Sequence, residues 1–252
     1  MAKKILVMEI FGPTIQGEGM VIGRKTMFLR TGGCDYSCAW CDSAFTWNGT
    51  ERAFIWNGTQ RANVKTPEEI YDEIMTIGTT EDGVLNFDYV TISGGNPALW
   101  GEPMDKLIDM LHEQGIKVGL ETQGSRWQDW FTKIDDLTIS PKPPSSTMKT
   151  NFDMLDDIVN KLTEAGTNFT LKVVVFDDID FEYARKVNHR YNPEIFYVSV
   201  GNEDAYEQGD ISGRLLQKLD WLWGKVLEDP TMNNTRPFPQ LHTLVWANKR
   251  AV

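Results

Sequence analysis

The stretch that decides how this chain is interpreted is GGCDYSCAWCDSAFTW, residues 32–47, because it contains all three cysteines of the 252-residue sequence. Cys34, Cys38 and Cys41 are closely spaced on this one segment. A chain of this length buries enough apolar surface to fold without cross-links, so stability does not require the thiols. Three neighbouring thiols without a fourth partner therefore indicate a metal centre that keeps one coordination position open.

Two kinds of metal centre fit this cysteine loop. A structural zinc ion needs four ligands, commonly in two close pairs, but His112, His189 and His242 all lie far along the chain. Iron–sulfur clusters are held by cysteine thiolates at such short spacings. A cluster of four irons on three cysteines leaves one iron open to a substrate or cofactor. We favour the cluster, with zinc closed by a distant ligand as the alternative, and expect His112 and His189 to be surface residues.

The composition limits the partners and the location of the protein. The chain has 25 basic and 36 acidic residues and a formal net charge of −11, which argues against nucleic acid or an anionic membrane as partner. No apolar run approaches the roughly 18 residues of a membrane helix. The N-terminal MAKKILVMEIFGPT is interrupted by Glu9 and is followed by no cleavage site, so we interpret it as a strand. We expect a cytoplasmic protein with reduced thiols.

Apolar strands and amphipathic helices alternate along most of the chain, which is typical of a parallel sheet covered by helices. The pattern predicts strands at 3–11, 25–30, 87–93, 116–122, 135–140, 169–176 and 194–202, and helices at 65–78, 104–115, 152–166 and 178–191. The first helix opens with a capping box, Thr66 to Glu69. Four strands end in SGGNP, ETQG, SPKP and SVGN, which are tails typical of a barrel mouth. The predicted fold class is α/β, a partial or modified (β/α) barrel with the cysteine loop at the carboxyl-terminal mouth of its strands.

Residues 44–62 repeat themselves, as AFTWNGTER followed by AFIWNGTQR. An Asn-Gly pair between aromatic-rich flanks is a strong hairpin signal. We interpret the repeat as a hairpin insertion, without chemistry of its own, in a single domain spanning residues 1–252. Residues 204–236 contain no motif that we assign, and we expect Trp221 and Trp223 to pack against the barrel or against a second subunit.

The spacing C-x3-C-x2-C, with the aromatic Trp40 before the last cysteine, resembles the cluster motif of the radical S-adenosylmethionine (SAM) enzymes. The resemblance implies a radical SAM barrel and a 4Fe-4S cluster on Cys34, Cys38 and Cys41, with SAM chelating the open iron. It also implies reductive cleavage of SAM to methionine and a 5′-deoxyadenosyl radical, which removes a hydrogen atom from a substrate. The protein then orients the reactants and excludes water.

Further motifs resemble those of the 7-carboxy-7-deazaguanine synthases. These are QGEG at residues 16–19, Arg30 on the next strand, and Asp42-Ser43 directly after the last cysteine. The family is described as carbon–nitrogen lyases that convert 6-carboxy-5,6,7,8-tetrahydropterin to 7-carboxy-7-deazaguanine. The reaction contracts a ring and releases ammonia, on the route to queuosine-type 7-deazapurine bases. A similar function is therefore implied here.

The resemblance assigns the remaining site residues to three groups. The pterin is implied to contact Ile15, Gln16, Gly17, Arg30, Ser93, Glu121, His242 and the carboxylate of Val252. SAM is implied to contact Trp40, Asp42, Gly94, Gly95, Ser140, Pro141, Lys142, Ser199, Val200, Gly201 and Asn202. Ser43 is the implied ligand of Mg²⁺, an ion that keeps most of its waters and needs few protein oxygens. Asn96 stands where the family has a glutamate, so any role for a carboxylate there is lost, whereas backbone contacts at the two glycines are not affected.

The resemblance also implies partners outside the chain, namely a flavodoxin or ferredoxin as electron donor and a second copy in a homodimer. A rival interpretation is an enzyme that activates a glycyl-radical protein, because such enzymes share the cysteine spacing. The QGEG loop, the Asp-Ser pair and the Gln-x-His segment near the C-terminus favour a small substrate instead. A second rival is a non-catalytic module that binds zinc or an iron–sulfur cluster.

Overall fold

The alternating strands and helices build one sheet, which the computed structural model describes for residues 3–48, 63–204 and 207–252. The strands are β1 (Ile5–Ile15), β2 (Lys25–Thr31), β3 (Asn63–Lys65), β4 (Tyr89–Gly94), β5 (Lys117–Thr122), β6 (Asp136–Ile139), β7 (Phe169–Val175), β8 (Phe196–Val200) and β9 (Thr235–Phe238). The α-helices are α1 (Pro67–Gly78), α2 (Glu102–Glu113), α3 (Phe152–Ala165), α4 (Asp178–Tyr191), α5 (Ile211–Glu228) and α6 (Leu241–Trp246). Within these residues, every helix is too short or too polar to cross a membrane.

The strands are ordered β3-β1-β2-β4-β5-β6-β7-β8-β9. From β2 through β4 to β9 neighbouring strands run parallel, whereas β1 is antiparallel to both of its neighbours. In the described chain β3 and β9 are the two edges, so the sheet is open and the predicted partial barrel is confirmed. The carboxyl ends of the parallel strands meet at one edge, where active sites of such folds lie.

One side of the sheet forms the core and the other lines the interior of the partial barrel. Ile92, Leu120 and Leu171, each at most 1% exposed, pack in one apolar cluster with residues of the helices. Because side chains alternate along a strand, the neighbours of these residues point to the opposite side. Glu121 and Lys172 are such neighbours, so the alternation places charged groups inside the barrel.

The first strand is longer than predicted, since it ends at Ile15 rather than Phe11. Its pairing with β2 is irregular between Phe11 and Thr14. Gly12 in this irregular part has a φ of +127°, and a Cβ there would lie 2.9 Å from a β2 carbonyl oxygen, so the position requires glycine. The predicted strand at 3–11 stopped one residue before this glycine, whereas Gly12 is a bend within the strand. The connection to β2 begins only at Gln16.

The region from 204 to 236, in which the sequence showed no motif that we assigned, supplies α5 and leads into β9. Trp221 on α5 packs against the core, whereas Trp223 is 49% exposed. The final strand pairs in parallel with β8 and contains Pro237, which is tolerated because β9 is an edge strand. The predicted hairpins of the repeat lie outside the described residues, apart from a short 3₁₀ turn at Ala44–Thr46.

Candidate active site

One cleft on the inner side of the sheet is lined by the cysteine loop, the loop after β1 and the C-terminal segment. All but three of the residues assigned by resemblance line this cleft. The three others, Pro141, Ser199 and Val200, are buried in the wall. Val200 belongs to the apolar core, and among the described residues the Ser199 Oγ has no hydrogen-bond partner. The cleft also contains Trp47 and Lys172, which sequence reasoning missed, and Glu18 and Gln240, which belong to the QGEG and Gln-x-His motifs but had been given no role of their own.

The cysteine loop is held by backbone hydrogen bonds on two sides. The backbone N–H of Asn96 donates to the Gly33 carbonyl at 2.8 Å, and the backbone N–H of Ala39 donates to the Ser146 carbonyl at 3.0 Å. A Cβ on Gly95 would lie 1.9 Å from the Gly33 carbonyl oxygen, so this close crossing of two backbones requires glycine. The loop is therefore fixed between the strand end after β4 and the turn after β6.

The three thiols are free, with Cys38 buried and Cys34 and Cys41 half-buried. Burial raises the pKa of Cys34 to about 11, although the Tyr36 N–H, which donates to its sulfur at 3.4 Å, lowers it. Burial also raises the pKa of Cys38. Such thiols become thiolates at neutral pH when a bound metal centre supplies positive charge.

These thiols suit an iron–sulfur cluster better than a single zinc ion. Three thiolates on one tetrahedral zinc, each at about 2.3 Å, bring their sulfurs to roughly 4 Å from one another. In the part of the chain that the structure describes, the three sulfurs are not all within 4.8 Å of one another. Side-chain N–H groups of Trp47 and Gln123 lie 3.4 Å from Cys41 Sγ and 3.7 Å from Cys34 Sγ. Donors of this kind stabilise the thiolate ligands of a cluster.

Asn96, directly after β4, supports the cysteine loop. Its buried side-chain amide donates through Nδ2 to Asp35 at 2.8 Å and to Ser125 at 3.0 Å, and its Oδ1 accepts from Thr122 at 2.9 Å. A carboxylate at this position could accept hydrogen bonds from the hydroxyl groups of Ser125 and Thr122, but it could not donate one to Asp35. The amide at this position is therefore matched to the aspartate that follows the first cysteine.

Trp40 is fixed on several sides next to the cysteine loop. Its Nε1 donates to Ser145 Oγ at 2.9 Å, and its ring centroid lies 4.8 Å from that of Phe176. Lys142 Nζ lies 5.8 Å from the same ring centroid and 3.3 Å from Ser140 Oγ. An aromatic face and a cation therefore border the same part of the cleft.

Small or backbone groups form the rest of this wall. Gly94 has a φ of +112°, and a Cβ there would lie 2.4 Å from the Thr31 carbonyl oxygen. The amide nitrogen of Asn202 donates to Gln240 at 2.9 Å, and its side chain donates to Asn248 at 2.8 Å. Neighbouring protein groups therefore already hold Asn202 in place.

A buried lysine that sequence reasoning missed lies on the inner side of β7. Lys172 is 3% exposed, and its Nζ lies 2.6 Å from Glu18 and 3.5 Å from Glu121. Burial by itself raises the pKa of Glu18, but Lys172 and His242 outweigh this effect and lower the pKa to about 2. The two carboxylates raise the pKa of Lys172 in spite of its burial. Glu121 Oε1 is buried without a hydrogen-bond partner in the described residues, so it can accept one from a ligand.

The C-terminal segment packs on the QGEG loop. The amide of Leu241 donates to the Gly17 carbonyl at 3.0 Å, and Gln240 Nε2 donates to Glu18 at 2.8 Å. His242 Nε2 lies 3.9 Å from the same carboxylate. A Cβ on Gly17 would lie 2.3 Å from His242 Nδ1, so the contact needs glycine. Two motifs from opposite ends of the chain therefore meet in the cleft.

Arg30 lies on an aromatic part of the wall. Its guanidinium carbon is 5.4 Å from the Phe11 ring centroid and 5.9 Å from that of Phe45. Its Nε is 3.8 Å from Glu9, which also pairs with Arg250. This contact is longer than a hydrogen bond, so the guanidinium retains N–H donors for an anion in the cleft.

Oxygen ligands for a cation lie beside the cysteine loop. Ser43 lines the cleft, with its Oγ 3.7 Å from Cys41 Sγ. Glu18, Asp42 and His242 each offer a ligand atom, and these three atoms lie within 4.8 Å of one another. Carboxylate and hydroxyl oxygens are the ligands that Mg²⁺ prefers. This corner of the cleft is therefore chemically suited to a hard cation.

A cysteine loop above an open sheet with a polar cleft is the arrangement of the radical SAM enzymes, and residues 28–197 match the radical SAM superfamily. The chain is 54% identical over 251 residues to a 7-carboxy-7-deazaguanine synthase of Bacillus cereus, covering 99% of both chains. It is also 54% identical over 256 residues to that of Bacillus subtilis, covering 100% of both. The chain therefore belongs to the 7-carboxy-7-deazaguanine synthase family, as its motifs predicted.

A solved structure supports the fold independently. The crystal structure of QueE from Escherichia coli matches with a TM-score of 0.58 at 21% identity, covering 96% of this chain and 95% of that chain. At this level of identity the likeness concerns the fold alone. It confirms the predicted partial barrel.

Proposed function

We propose that the chain converts 6-carboxy-5,6,7,8-tetrahydropterin to 7-carboxy-7-deazaguanine with loss of ammonia. The observation that carries this function is the 54% identity to curated synthases over the full length of both chains. The reaction class is that of a radical SAM enzyme. Polar and charged side chains such as Arg30, Glu121 and Lys172 line the cleft, which suits a polar heterocycle such as a pterin.

The substrate would be held by charged groups of opposite sign. Glu121 offers a buried carboxylate oxygen without a partner among the described residues, which suits the amino and ring N–H groups of the pterin. Arg30 offers a planar guanidinium for the substrate carboxylate. The backbone of residues 15–17 lies along the same cleft. Further contacts are proposed for Ser93, His242 and Val252.

The cluster would be held by Cys34, Cys38 and Cys41. When bound, the cluster and SAM supply a carbon-centred radical that removes a hydrogen atom from the substrate. Lys142 beside Trp40 offers a cation for the carboxylate of SAM, and the glycines after β4 leave room for close approach. Further SAM contacts are proposed for Asp42, Gly94, Gly95, Ser140, Gly201 and Asn202. Pro141, Ser199 and Val200 would support this wall from within.

We also propose that Mg²⁺ binds at Ser43 together with oxygens of the substrate. The proposal is supported by the hard ligands nearby, since Asp42 and Glu18 offer carboxylates in the same corner. A divalent cation there would pair with the carboxylate of the substrate. The ion would orient the substrate without needing a complete set of protein ligands.

Several features of the whole protein complete the proposal. The chain would form one domain with a hairpin insertion at residues 44–62, and it would work as a homodimer in the cytoplasm. The electron donor would be a flavodoxin or ferredoxin. Neither nucleic acid nor a membrane is proposed as a partner, in keeping with the net charge of −11.

The test is an anaerobic reaction of reconstituted protein with dithionite, SAM, Mg²⁺ and 6-carboxytetrahydropterin, followed by mass spectrometry. Loss of the mass of ammonia, with the absorption spectrum of a deazaguanine, is the expected result. An unchanged pterin from fully iron-loaded protein would reject this substrate and favour the activation of a glycyl-radical protein. Protein that binds about one zinc and no sulfide would reject the radical chemistry itself.

A further inference from the structure

Trp47 lies beside the cysteine loop and has no part in the function proposed above. Its indole Nε1 donates toward Cys41 Sγ at 3.4 Å. Among the described residues this is the side-chain N–H that lies closest to a sulfur of the loop, since Gln123 Nε2 is 3.7 Å from Cys34 Sγ. The Gln123 amide also makes a shorter hydrogen bond, 2.8 Å, to Asp35. Trp47 is therefore the side chain whose N–H is directed most closely at a cluster ligand.

The position of the indole is fixed by a tight turn. The amide of Trp47 donates to the Ala44 carbonyl at 3.1 Å, and the amide of Thr46 donates to the Ser43 carbonyl at 2.9 Å. The amide of Gly33, at the start of the cysteine loop, donates to the Thr46 carbonyl at 2.9 Å. Because the turn is bonded both to itself and to the loop, Trp47 keeps its place relative to Cys41.

A hydrogen bond to a cluster sulfur acts on the charge of the cluster. When the cluster accepts one electron, negative charge on the thiolate sulfurs grows and a donor at the sulfur stabilises the reduced form. Indole is a donor only and does not titrate, so its effect holds over the whole working pH range. The redox change requires a one-electron donor, and it neither forms nor breaks a bond to Trp47.

We propose that Trp47 is a positioning and tuning residue that raises the reduction potential of the cluster through its N–H on Cys41 Sγ. The proposal rests on the cluster that membership of the radical SAM superfamily implies, and does not depend on the identity of the substrate. Failure to turn over the pterin would therefore leave it intact. Conversely, an unchanged potential in the variant described below would leave the proposed reaction intact.

The experiment is a redox titration of anaerobically reconstituted protein, followed by the electron paramagnetic resonance signal of the reduced cluster. W47F removes the N–H and keeps an aromatic ring. The matched control is W127F, because Trp127 Nε1 donates to Asp129 at 2.8 Å, and its ring lies against Phe131 and Lys161 rather than at a cysteine. We expect the reduction potential of the cluster in W47F to fall by about 59 mV, which corresponds to a tenfold change in the equilibrium constant for one-electron reduction. The potential of W127F should equal that of the wild type.

An unchanged potential in W47F with a full complement of iron and sulfide would overturn the proposal. If W47F binds less iron than the wild type, protein labelled with 5-fluorotryptophan at position 47 alone replaces it, because the fluorinated indole is a stronger N–H donor and the other eight tryptophans stay unchanged. The potential of the labelled protein should then rise. A labelled protein with the potential of the unlabelled one would equally overturn the proposal.

Discussion

Lys172 is the residue on which the charge balance of the cleft depends. Its ammonium group lies 2.6 Å from Glu18 and 3.5 Å from Glu121, with 3% of the side chain exposed. Removing the cation leaves neighbouring carboxylates without their partner, and breaking a buried pair in this way typically costs about 3–5 kcal/mol. We therefore expect K172M to unfold at a clearly lower urea concentration than the wild type.

The matched control for this prediction is K161M. Lys161 pairs with Asp157 one turn earlier on the exposed face of α3, and such pairs contribute about 0.3–0.5 kcal/mol. The double variant K172M/E18Q removes a carboxylate together with the cation and should recover part of the loss. Equal destabilisation by K172M and K161M would show that the buried cluster adds nothing.

Glu18 gives the protein a defined sensitivity to acid. Its pKa in the folded protein is about 2, below the ordinary value of 4.5. A lowered pKa contributes stability above the unfolded value, and this contribution is lost as the pH falls toward the folded value. Between pH 6 and pH 3 the linkage amounts to about 2 kcal/mol. Urea unfolding should therefore show a steeper loss for the wild type than for E18Q, and parallel curves would refute this account.

Residue roles are predictable from sequence when the motif itself is unusual. Cys34 and Trp40 belong to a spacing that few other sites share, so their roles follow from local order. Lys172 is different, because its partners Glu18 and Glu121 lie 154 and 51 residues away along the chain. Local reasoning treats it as one polar residue in the apolar run FTLKVVVF. That interruption was the available signal, and only the fold shows what the lysine neutralises.

At the scale of elements, the strand end after β4 determines how the cysteine loop is supported. Asn96 donates to Asp35 at 2.8 Å from a fully buried position. In N96E a carboxylate replaces the amide beside the aspartate, and a buried unpaired charge costs about 3 kcal/mol. We expect N96E to lose iron during reconstitution and to melt at a lower temperature than the wild type. Iron per chain and thermal unfolding measure the two effects.

The compensating variant separates charge from packing. D35N removes one of the two facing carboxylates, so N96E/D35N should recover iron binding relative to N96E alone. The two positions are in contact, and their effects should therefore not be additive. Additive losses in the double variant would mean that Asn96 supports the loop through its other partners, Ser125 and Thr122, rather than through Asp35.

The central elements were predictable because their signals are local. The apolar runs of β4, β5 and β7 and the capping box of α1 need no knowledge of the fold. The amide of Glu69 donates to Thr66 Oγ1 at 3.3 Å, and the amide of Thr66 donates to Glu69 at 2.7 Å, as the capping box requires. The edge strand β9 was missed because Pro237 argues against a strand unless it lies at an edge. The bend at Gly12 was missed because a glycine after a strand is normally interpreted as its end.

At the scale of the whole molecule, the cleft is formed by segments from both ends of the chain. The loop after β1 contacts the inner side of the sheet, since a Cβ on Gly19 would lie 3.1 Å from Glu121. The C-terminal segment then packs on that loop through Gln240 and Leu241. Sequence motifs predicted that these parts belong to one site. Their contact depends on the sheet being open, and the sequence pattern did not predict how many strands the sheet contains.

This contact between the two ends can be tested at Gly17. A Cβ there would lie 2.3 Å from His242 Nδ1 and 2.7 Å from the backbone nitrogen of His242, so G17A must displace the C-terminal segment. Overpacking of this kind costs about 1–3 kcal/mol. We expect the KM for the pterin to rise about tenfold, because the displaced residues border the substrate, while cluster content is unchanged. The control is G224A on α5, where a Cβ meets nothing within 4 Å and alanine favours the helix by about 1 kcal/mol. A G17A protein with the KM of G224A would show that the two ends of the chain do not shape the site together.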